Sequence, residues 1–175
     1  MGILKTIDEL SDYVSDARRN GFNIIWTNGC FDIMHVGHAK VLFEAKKLSN
    51  ISKLIVGVNS DASVKRIKGD KRPIISELDR AMLLTYFSGV DVVFIFNENT
   101  PLETLKIVKP DFMVKGAVWD GKDEIGDYVR SYGCIIHLVP LYNSPTSATT
   151  NLINKILTTY CGGSIIGPFN DKRGY

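Results

Sequence analysis

The chain has few cysteines, no long apolar run and no large excess of charge, and each shortage argues against a class of protein. Its 175 residues include only Cys30, Cys134 and Cys161, a widely spaced set without a C-x-x-C pair. This pattern argues against a disulfide framework and against a zinc module, so we expect a reducing, cytoplasmic setting. No stretch approaches the roughly 18 apolar residues of a membrane span, and the N-terminus lacks a signal-peptide pattern. We therefore expect no association with a membrane.

The charge balance points away from nucleic acid. The 21 lysines and arginines against 19 acidic residues give a formal charge of +2, far from the basic balance of a dedicated nucleic-acid binder. We expect no nucleic-acid partner, and any anion site must be a local feature. The length predicts one domain, which we place at residues 1–160, followed by a C-terminal tail of loop-like composition at 161–175.

Apolar runs of strand length alternate with helical patterns. The predicted strands are residues 24–26, 54–58, 92–96, 112–114 and 135–139. Their continuous apolar character is typical of strands that are covered on both faces. The predicted helices are residues 4–19, 41–48, 76–89, the segment from 101, 123–132 and 152–160. This alternation predicts an α/β fold with a doubly wound parallel sheet, whose functional site lies at the carboxyl ends of the strands.

The most informative segment runs from Thr27 to His38, at the end of the first predicted strand. If a helix begins near Met34, His35 and His38 face one side of its first turn. Free backbone N–H groups there favour an anion, and a glycine at position 37 would let a phosphate approach the backbone closely. Two other interpretations stay open. His38 could be a hydrogen-bonded core residue, or the pair could bind a metal with a third ligand that no spacing predicts.

This segment resembles the signature of a nucleotidyltransferase superfamily, a Gly-x-Phe-Asp turn followed by His-x-Gly-His. Further stretches, at residues 58–69, 72–73, 79–80, 90–91, 99–101 and 110–116, resemble the D-glycero-D-manno-heptose 1-phosphate adenylyltransferases. The resemblance covers about residues 22–157. It implies a single Rossmann-like domain, a homodimer, and transfer of AMP from ATP to a heptose 1-phosphate, with Mg²⁺ on the phosphates. Such a reaction is an in-line attack that needs no covalent intermediate.

The resemblance also implies roles for individual residues. His35 and His38 would bind the triphosphate and stabilise the transition state, and Lys65 and Lys68 would bind pyrophosphate. The nucleotide-binding residues would be Asn28, Gly29, Cys30, Phe31, Gly37, Arg80, Lys115, Gly116, Ser147, Thr149 and Thr150. The acceptor-binding residues would be Asp32, Asn59 and Asp61. No metal site built from protein ligands is implied.

Several of these residues have other interpretations. Beside the histidine motif, the five cations from Lys65 to Arg72 favour phosphate binding, although they could instead form a solvated loop. Arg80 could pair with Glu77 along a helix, and the hydroxyls at 146–150 could simply cap the last helix. Asp32 could orient a histidine, contact the acceptor or form an Asx turn.

Two departures from the heptose enzymes bear on the substrates. Val118 stands where that family has an acidic residue, and Ala148 where it has serine. Trp119 and Asp120 are similar to a tryptophan and an acid in the glycerol-3-phosphate cytidylyltransferases. The alternative function is therefore a cytidylyltransferase for glycerol 3-phosphate or another polyol phosphate, and a nucleotide-binding protein without activity is a third.

Overall fold

A six-stranded sheet forms the centre of the protein. The computed structural model describes residues 1–142 and 144–161. Five strands coincide with the predicted runs: β2 (Asn23–Gly29), β3 (Ser52–Asn59), β4 (Val92–Phe96), β5 (Phe112–Gly116) and β6 (Ile135–Val139). A further strand, β1 (Ile3–Lys5), precedes them. All the paired strands are parallel, in the order β1-β4-β3-β2-β5-β6. The predicted fold class is thereby confirmed.

The first strand corrects the sequence prediction, which placed residues 4–6 in a helix. Ile3 pairs with Val92 at the edge of the sheet, and helix α1 (Ile7–Arg19) begins only afterwards. The Thr6 side chain accepts a hydrogen bond from the backbone of Glu9, whose carboxylate accepts one from the Thr6 backbone. This capping box separates strand from helix. The three residues of β1 are too few to show the alternation of apolar and polar side chains that marks a strand.

Helices cover both faces of the sheet. Helices α1, α5 (Leu102–Val108) and α6 (Glu124–Ser131) bury their apolar residues on one face. Helices α2 (Val36–Lys47) and α4 (Glu77–Thr85) bury theirs on the other. The remaining helices of the described chain are α3 (Asp61–Lys68) and α7 (Thr149–Tyr160). Burial on both faces explains why the strand sequences are continuously apolar.

Two helical predictions need correction. The cationic segment interpreted as a loop is helical up to Lys68, because Ser60 caps α3 by accepting from the backbone N–H of Ser63. The helix that begins after Ser76 ends at Thr85 rather than at Gly89, with Tyr86 as its C-cap.

The chain winds in opposite directions from β2. Strands β3, β4 and β1 lie on one side of β2, and β5 and β6 lie on the other. This reversal opens a crevice at the carboxyl ends of β2 and β5, which is where open α/β sheets bind ligands.

None of the helices in the described residues is long and apolar enough to cross a membrane. Of the predicted tail, residues 161–175, only Cys161 belongs to the described part of the chain. The domain boundary at residue 160 stays a prediction.

Candidate active site

A cavity of about 1200 Å³ opens at the carboxyl ends of β2, β5 and β6, a volume above the usual range of roughly 300–1,000 Å³ for a single small-molecule site. The predicted site residues that line it are Asn28, Gly29, Cys30, Phe31, Asp32, His35, Gly37, His38, Lys68, Lys115, Gly116, Ser147, Thr149 and Thr150. Lys65, Arg80, Asn59 and Asp61 do not line it. The structure thus brings together residues from the motif, from β5 and from the start of α7.

The two motif histidines stack on each other at the start of α2. The helix begins at Val36, two residues later than predicted, with His35 as its N-cap. The imidazole centroids of His35 and His38 are 3.7 Å apart with 21° between the ring planes. The ring of Phe31 lies 5.1 Å from that of His38. Both Nδ1 atoms are buried, and neither has a hydrogen-bond partner within the described chain.

Burial keeps both imidazoles neutral. Desolvation lowers the pKa of His35, and desolvation together with repulsion from His35 lowers the pKa of His38 to about 3. A neutral imidazole offers one N–H donor and one acceptor nitrogen. The pair therefore acts at neutral pH through hydrogen bonds rather than through charge. Among the described residues no group of three His, Cys, Asp or Glu side chains could hold a metal ion.

The backbone around the motif is tightly constrained. A Cβ on Gly37 would lie 3.0 Å from His35 Nδ1 and 3.1 Å from the carbonyl oxygen of Ser147. Gly37 thus makes room for the His35 ring and for the segment before α7, a different reason from the close phosphate approach inferred from sequence. Phe31 has a φ of 50°, a left-handed conformation that is strained for an aromatic residue. Its ring is buried and packs beside Gly29, which holds this turn in place.

The N-termini of α2 and α7 both lie at the cavity, and neither has a side-chain cap. Side chains do cap α1, α3, α4 and α6. At α7 the N-cap is Ala148, the Ser147 hydroxyl donates to the Ser144 carbonyl, and the Thr149 hydroxyl donates to the Ile33 carbonyl. The interpretation that hydroxyls cap this helix is therefore wrong. First-turn N–H groups of both helices remain available to an anion.

Lys115 lies at the base of the cavity. Its Nζ donates to the backbone carbonyl of Asn28 at 3.1 Å and lies 5.9 Å from the centre of the Trp119 ring. Burial lowers the pKa of Lys115 to about 8. The Trp119 Nε1 donates to Asp123 at 2.7 Å, and Asp123 also caps α6. Both the cation and the indole ring are thereby fixed before any ligand enters.

Asp32 holds the segment that joins α3 to α4. Its Oδ1 accepts from the backbone N–H groups of Ile74 at 2.8 Å and Ile75 at 2.9 Å, and its Oδ2 accepts from Arg72 Nε. These bonds replace the Asx turn and the contact with a histidine that the sequence suggested. The predicted contact of Asp32 with an acceptor stays a prediction.

Arg80 also ties this segment to the motif turn. Its guanidinium donates to the carbonyls of Cys30 and Ile75 and pairs with Asp61 at 2.8 Å. It is almost completely buried. The pair with Glu77 inferred from sequence is not formed; Glu77 instead accepts from the backbone N–H of Asp61. Arg80 therefore lies behind the cavity and joins the motif turn to the segment before α4.

The other predicted residues on this side lie around α3. The Asn59 side chain is buried and donates to Ser63 Oγ at 3.0 Å, and Lys65 is exposed on the helix surface. Asp61 is engaged by Arg80. Their predicted roles with acceptor and pyrophosphate stay predictions.

The cavity also contains residues for which no individual role was predicted. These are Thr27, Val41, Lys71, Arg72, Ile74, Val118, Trp119, Val139, Pro140, Leu141, Tyr142, Ser144, Ala148, Asn151, Ile153, Asn154 and Leu157. Most are apolar or lie in irregular segments. Lys71 and Arg72 belong to the cationic run whose sequence favours phosphate binding, and both line the cavity.

The matches to known proteins agree with this geometry. The profile of the cytidylyltransferase-like family matches residues 26–160. This chain belongs to the cytidylyltransferase-like family. That membership confirms the resemblance inferred from the histidine motif.

Two relatives of this cytidylyltransferase-like chain are both bifunctional HldE proteins. It is 53% identical over 136 residues to the bifunctional protein HldE of a Nitratiruptor species, covering 78% of this chain and 29% of that protein. It is 43% identical over 154 residues to HldE of Syntrophotalea carbinolica, covering 87% of this chain and 31% of that protein. The chain thus spans less than a third of the length of these relatives.

A solved structure is also similar to the cytidylyltransferase-like chain. It is described as the lipopolysaccharide core biosynthesis protein from Thermoplasma volcanium GSS1. The two are 27% identical with a TM-score of 0.55, and the match covers 71% of this chain and 99% of the other.

Proposed function

We propose that the chain transfers AMP from ATP to a heptose 1-phosphate, giving ADP-heptose and pyrophosphate. The observation that carries this proposal is the convergence of two neutral histidines and two uncapped helix N-termini on one cavity. The match to HldE proteins and the likeness to a lipopolysaccharide core biosynthesis protein support a role in a surface glycan. We further propose that the enzyme acts in the cytoplasm and as a homodimer.

The triphosphate binds where the N–H groups meet. The first-turn amides of α2 and α7 and the N–H of each imidazole donate to phosphate oxygens, and Lys68 contributes a positive charge from the cavity wall. Neutral donors bind the phosphates without the repulsion that two stacked imidazolium ions would suffer. Such donors stabilise charge best when they are fixed before reaction.

The transfer itself needs no nucleophile from the protein. A phosphate oxygen of the acceptor attacks the α-phosphorus of ATP, and the bond from this phosphorus to the bridging oxygen of the β-phosphate breaks. Pyrophosphate leaves with that oxygen and its electron pair. The residues of the cavity hold the two substrates in line and stabilise the charge that moves onto pyrophosphate.

The residues that line the cavity do not form a protein-held Mg²⁺ site. Asp32 is the one carboxylate among the described lining residues, and Arg72 with two backbone amides already engages it. Mg²⁺ in proteins is bound through one or two carboxylates together with substrate phosphates. We propose that any Mg²⁺ enters on the nucleotide as part of the substrate.

The apolar wall of the cavity suits a nucleobase. Val118 and Trp119 from the segment after β5, and Leu141 and Tyr142 from the segment after β6, all line the cavity. Aromatic and apolar surfaces accept a base through stacking and burial. Val118 has no polar group that could hydrogen-bond to a base. The choice of base must therefore depend on other residues.

Pyrophosphate release tests the proposal. ATP, CTP, GTP and UTP are each incubated with both anomers of heptose 1-phosphate, with glycerol 3-phosphate and with Mg²⁺. We expect release with ATP and one heptose anomer. Release with CTP and glycerol 3-phosphate alone would instead establish the second candidate, a polyol-phosphate cytidylyltransferase, which the anchored Trp119 and the exposed Val118 favour. Tight ATP binding with no release would indicate a protein that binds nucleotides without catalysis.

A further inference from the structure

The segment of residues 69–75 is fastened to the motif turn by a carboxylate that has no access to solvent. The Asp32 side chain is 0% exposed. Two backbone amides, of Ile74 and Ile75, and one arginine nitrogen, Arg72 Nε, occupy its oxygens. A buried carboxylate is stable only when its oxygens are hydrogen-bonded or paired in this way. Asp32 thus anchors the loop through both of its carboxylate oxygens.

Arg72 is held on one edge only. Of its guanidinium nitrogens, Nε alone makes a hydrogen bond within the described residues. The two Nη groups of a guanidinium carry four further N–H donors in a fixed plane. Arg72 lines the cavity, and 15% of its side chain is exposed. A planar cation that is fixed from behind and open in front matches the paired oxygens of a phosphate.

The cavity has two chemically different walls. The wall at β5 and β6 contains Val118, Trp119, Leu141 and Tyr142. The cationic wall, formed by the end of α3 and the segment that joins it to α4, contains Lys68, Lys71 and Arg72. An adenylyl transfer brings two phosphorylated molecules into one site, and the cationic wall is the surface that suits phosphate rather than base.

We propose that Arg72 binds a substrate phosphate in this cavity and that Asp32 positions its guanidinium. This inference rests on the proposed function, which supplies the two sources of phosphate, the nucleotide and the acceptor. Asp32 acts through Arg72 and is a positioning residue. Arg72 itself touches the ligand.

Binding of three probes tests the role of Arg72. ATP, inorganic pyrophosphate and heptose 1-phosphate are titrated by calorimetry into the wild type and into Arg72→Gln. We expect at least one affinity to fall roughly ten- to hundredfold, the range for a lost charged hydrogen bond. A fall with heptose 1-phosphate alone assigns the acceptor phosphate, and a fall with ATP and pyrophosphate assigns the nucleotide. Unchanged affinity for all three in a folded variant overturns the proposal.

Arg66 provides a matched control on the neighbouring helix. It is an exposed arginine that bonds to Asn99 and to the backbone of Asn97, and it does not line the cavity. Arg66→Gln removes the same charge from the same region of the surface. We expect it to bind all three probes as the wild type does. An equal loss in Arg66→Gln would show a general effect of charge and overturn the specific role of Arg72.

The positioning role of Asp32 is tested by a double-mutant cycle. Asp32→Asn retains an oxygen for the backbone amides but presents an amide N–H₂ group where Arg72 Nε needs an acceptor. We expect it to weaken the same probe as Arg72→Gln, and the double variant to bind no more weakly than Arg72→Gln alone. Additive losses would instead mean that Asp32 contacts the ligand itself. If Asp32→Asn does not fold, Arg72→Lys keeps the charge and loses the planar fork, and wild-type affinity in that variant overturns the proposal.

These binding measurements separate the present inference from the proposed function. A wild type that binds pyrophosphate but releases none with any acceptor contradicts the proposed function and leaves the role of Arg72 measurable. A wild type that turns over, with an Arg72→Gln variant of unchanged affinity and unchanged KM for both substrates, contradicts only the present inference.

Discussion

The two helix N-termini that meet at the cavity are supported very differently. Helix α2 buries Leu42 and Ala45 in the core, and the turn before it is fixed by Asp32 and Arg80. Helix α7 has no buried residue, and the Thr149 hydroxyl is its side-chain tie to the motif turn. Segments with little buried surface open more easily than core elements. We therefore expect the N-terminus of α2 to be rigid without a ligand, and the N-terminus of α7 to be stabilised if an anion binds there.

The largest expected effect comes from breaking the support of α2. Arg80→Met removes donors from two carbonyls, of Cys30 and Ile75, and leaves them without partners. We expect the free energy of unfolding to fall by about 2–4 kcal/mol in denaturant titrations. Arg19→Ala is the control, because Arg19 makes only an exposed pair with Asp16, which is worth about 0–1 kcal/mol. A variant of wild-type stability with weakened ATP binding would restore Arg80 as a nucleotide ligand.

The next effect concerns the histidines on the supported side. His38→Ala removes a fixed donor from the triphosphate site, and we expect kcat in the pyrophosphate assay to fall by roughly 10²-fold. The same holds for His35→Ala. His137→Ala is a control outside the cavity, on β6, and should keep wild-type turnover. Loss of folding in His38→Ala, seen by circular dichroism, would favour a core role instead.

The pH dependence of ATP binding tests the role of Lys115, which is bonded to the backbone of Asn28 in the motif segment. Because burial lowers its pKa to about 8, the cation is present at pH 7 and is lost as the pH rises through about 8. We expect ATP affinity to fall across pH 7–9.5 in the wild type and to be weaker, by roughly tenfold, but nearly flat in Lys115→Met. An unchanged alkaline fall in Lys115→Met would assign the titration to another group.

Raising the pH should have the opposite effect on the stability of the ligand-free protein. Between pH 8 and its ordinary value near 10.5 the unfolded chain binds more protons at this residue than the folded chain. The free energy of unfolding should therefore rise with pH over this window. The rise should disappear in Lys115→Met, as denaturant titrations at several pH values would measure.

The smallest effect sharpens the difference between α2 and α7. Ala148→Asp supplies the missing N-cap of α7, so hydrogen exchange of the α7 amides should slow by the equivalent of about 1 kcal/mol. The same carboxylate occupies N–H groups intended for phosphate and repels it, so ATP affinity should fall several-fold in calorimetry. Ala148→Asn is the uncharged control and should protect the amides with a smaller loss of affinity. Wild-type ATP affinity in Ala148→Asp would mean that α7 does not bind the nucleotide.

Sequence patterns were sufficient wherever structure depends on neighbours along the chain. The five long strands follow from continuous apolar runs, and the histidine motif lies at the start of α2 because a strand end and a helix start are both local features. Strand β1 was missed because three residues at a sheet edge carry no period. Helix α3 was missed although Ser60 was a visible cap, since the cations after it suggested a loop.

The parts of the site that depend on distant partners could not be read from sequence. Asp32 bonds to residues 40 to 43 positions away, and Arg80 bonds to a carbonyl 50 positions away. No spacing rule connects such residues, and a backbone carbonyl leaves no signature in a side-chain pattern. Sequence patterns therefore located the motif residues that line the cavity, but they could not identify the bonds that hold the motif in place.

The reversal of winding at β2 places the cationic and the apolar residues of the cavity on two separate stretches of the chain. The residues of the cationic wall precede β4 in the chain, and those of the apolar wall follow β5 and β6. In the sheet, β2 lies between β3 and β5. Substitutions in one stretch leave the contacts of the other intact. In a protein with this arrangement, substitutions after β5 and β6 could change the base preference while the cationic residues proposed to bind phosphate stay the same.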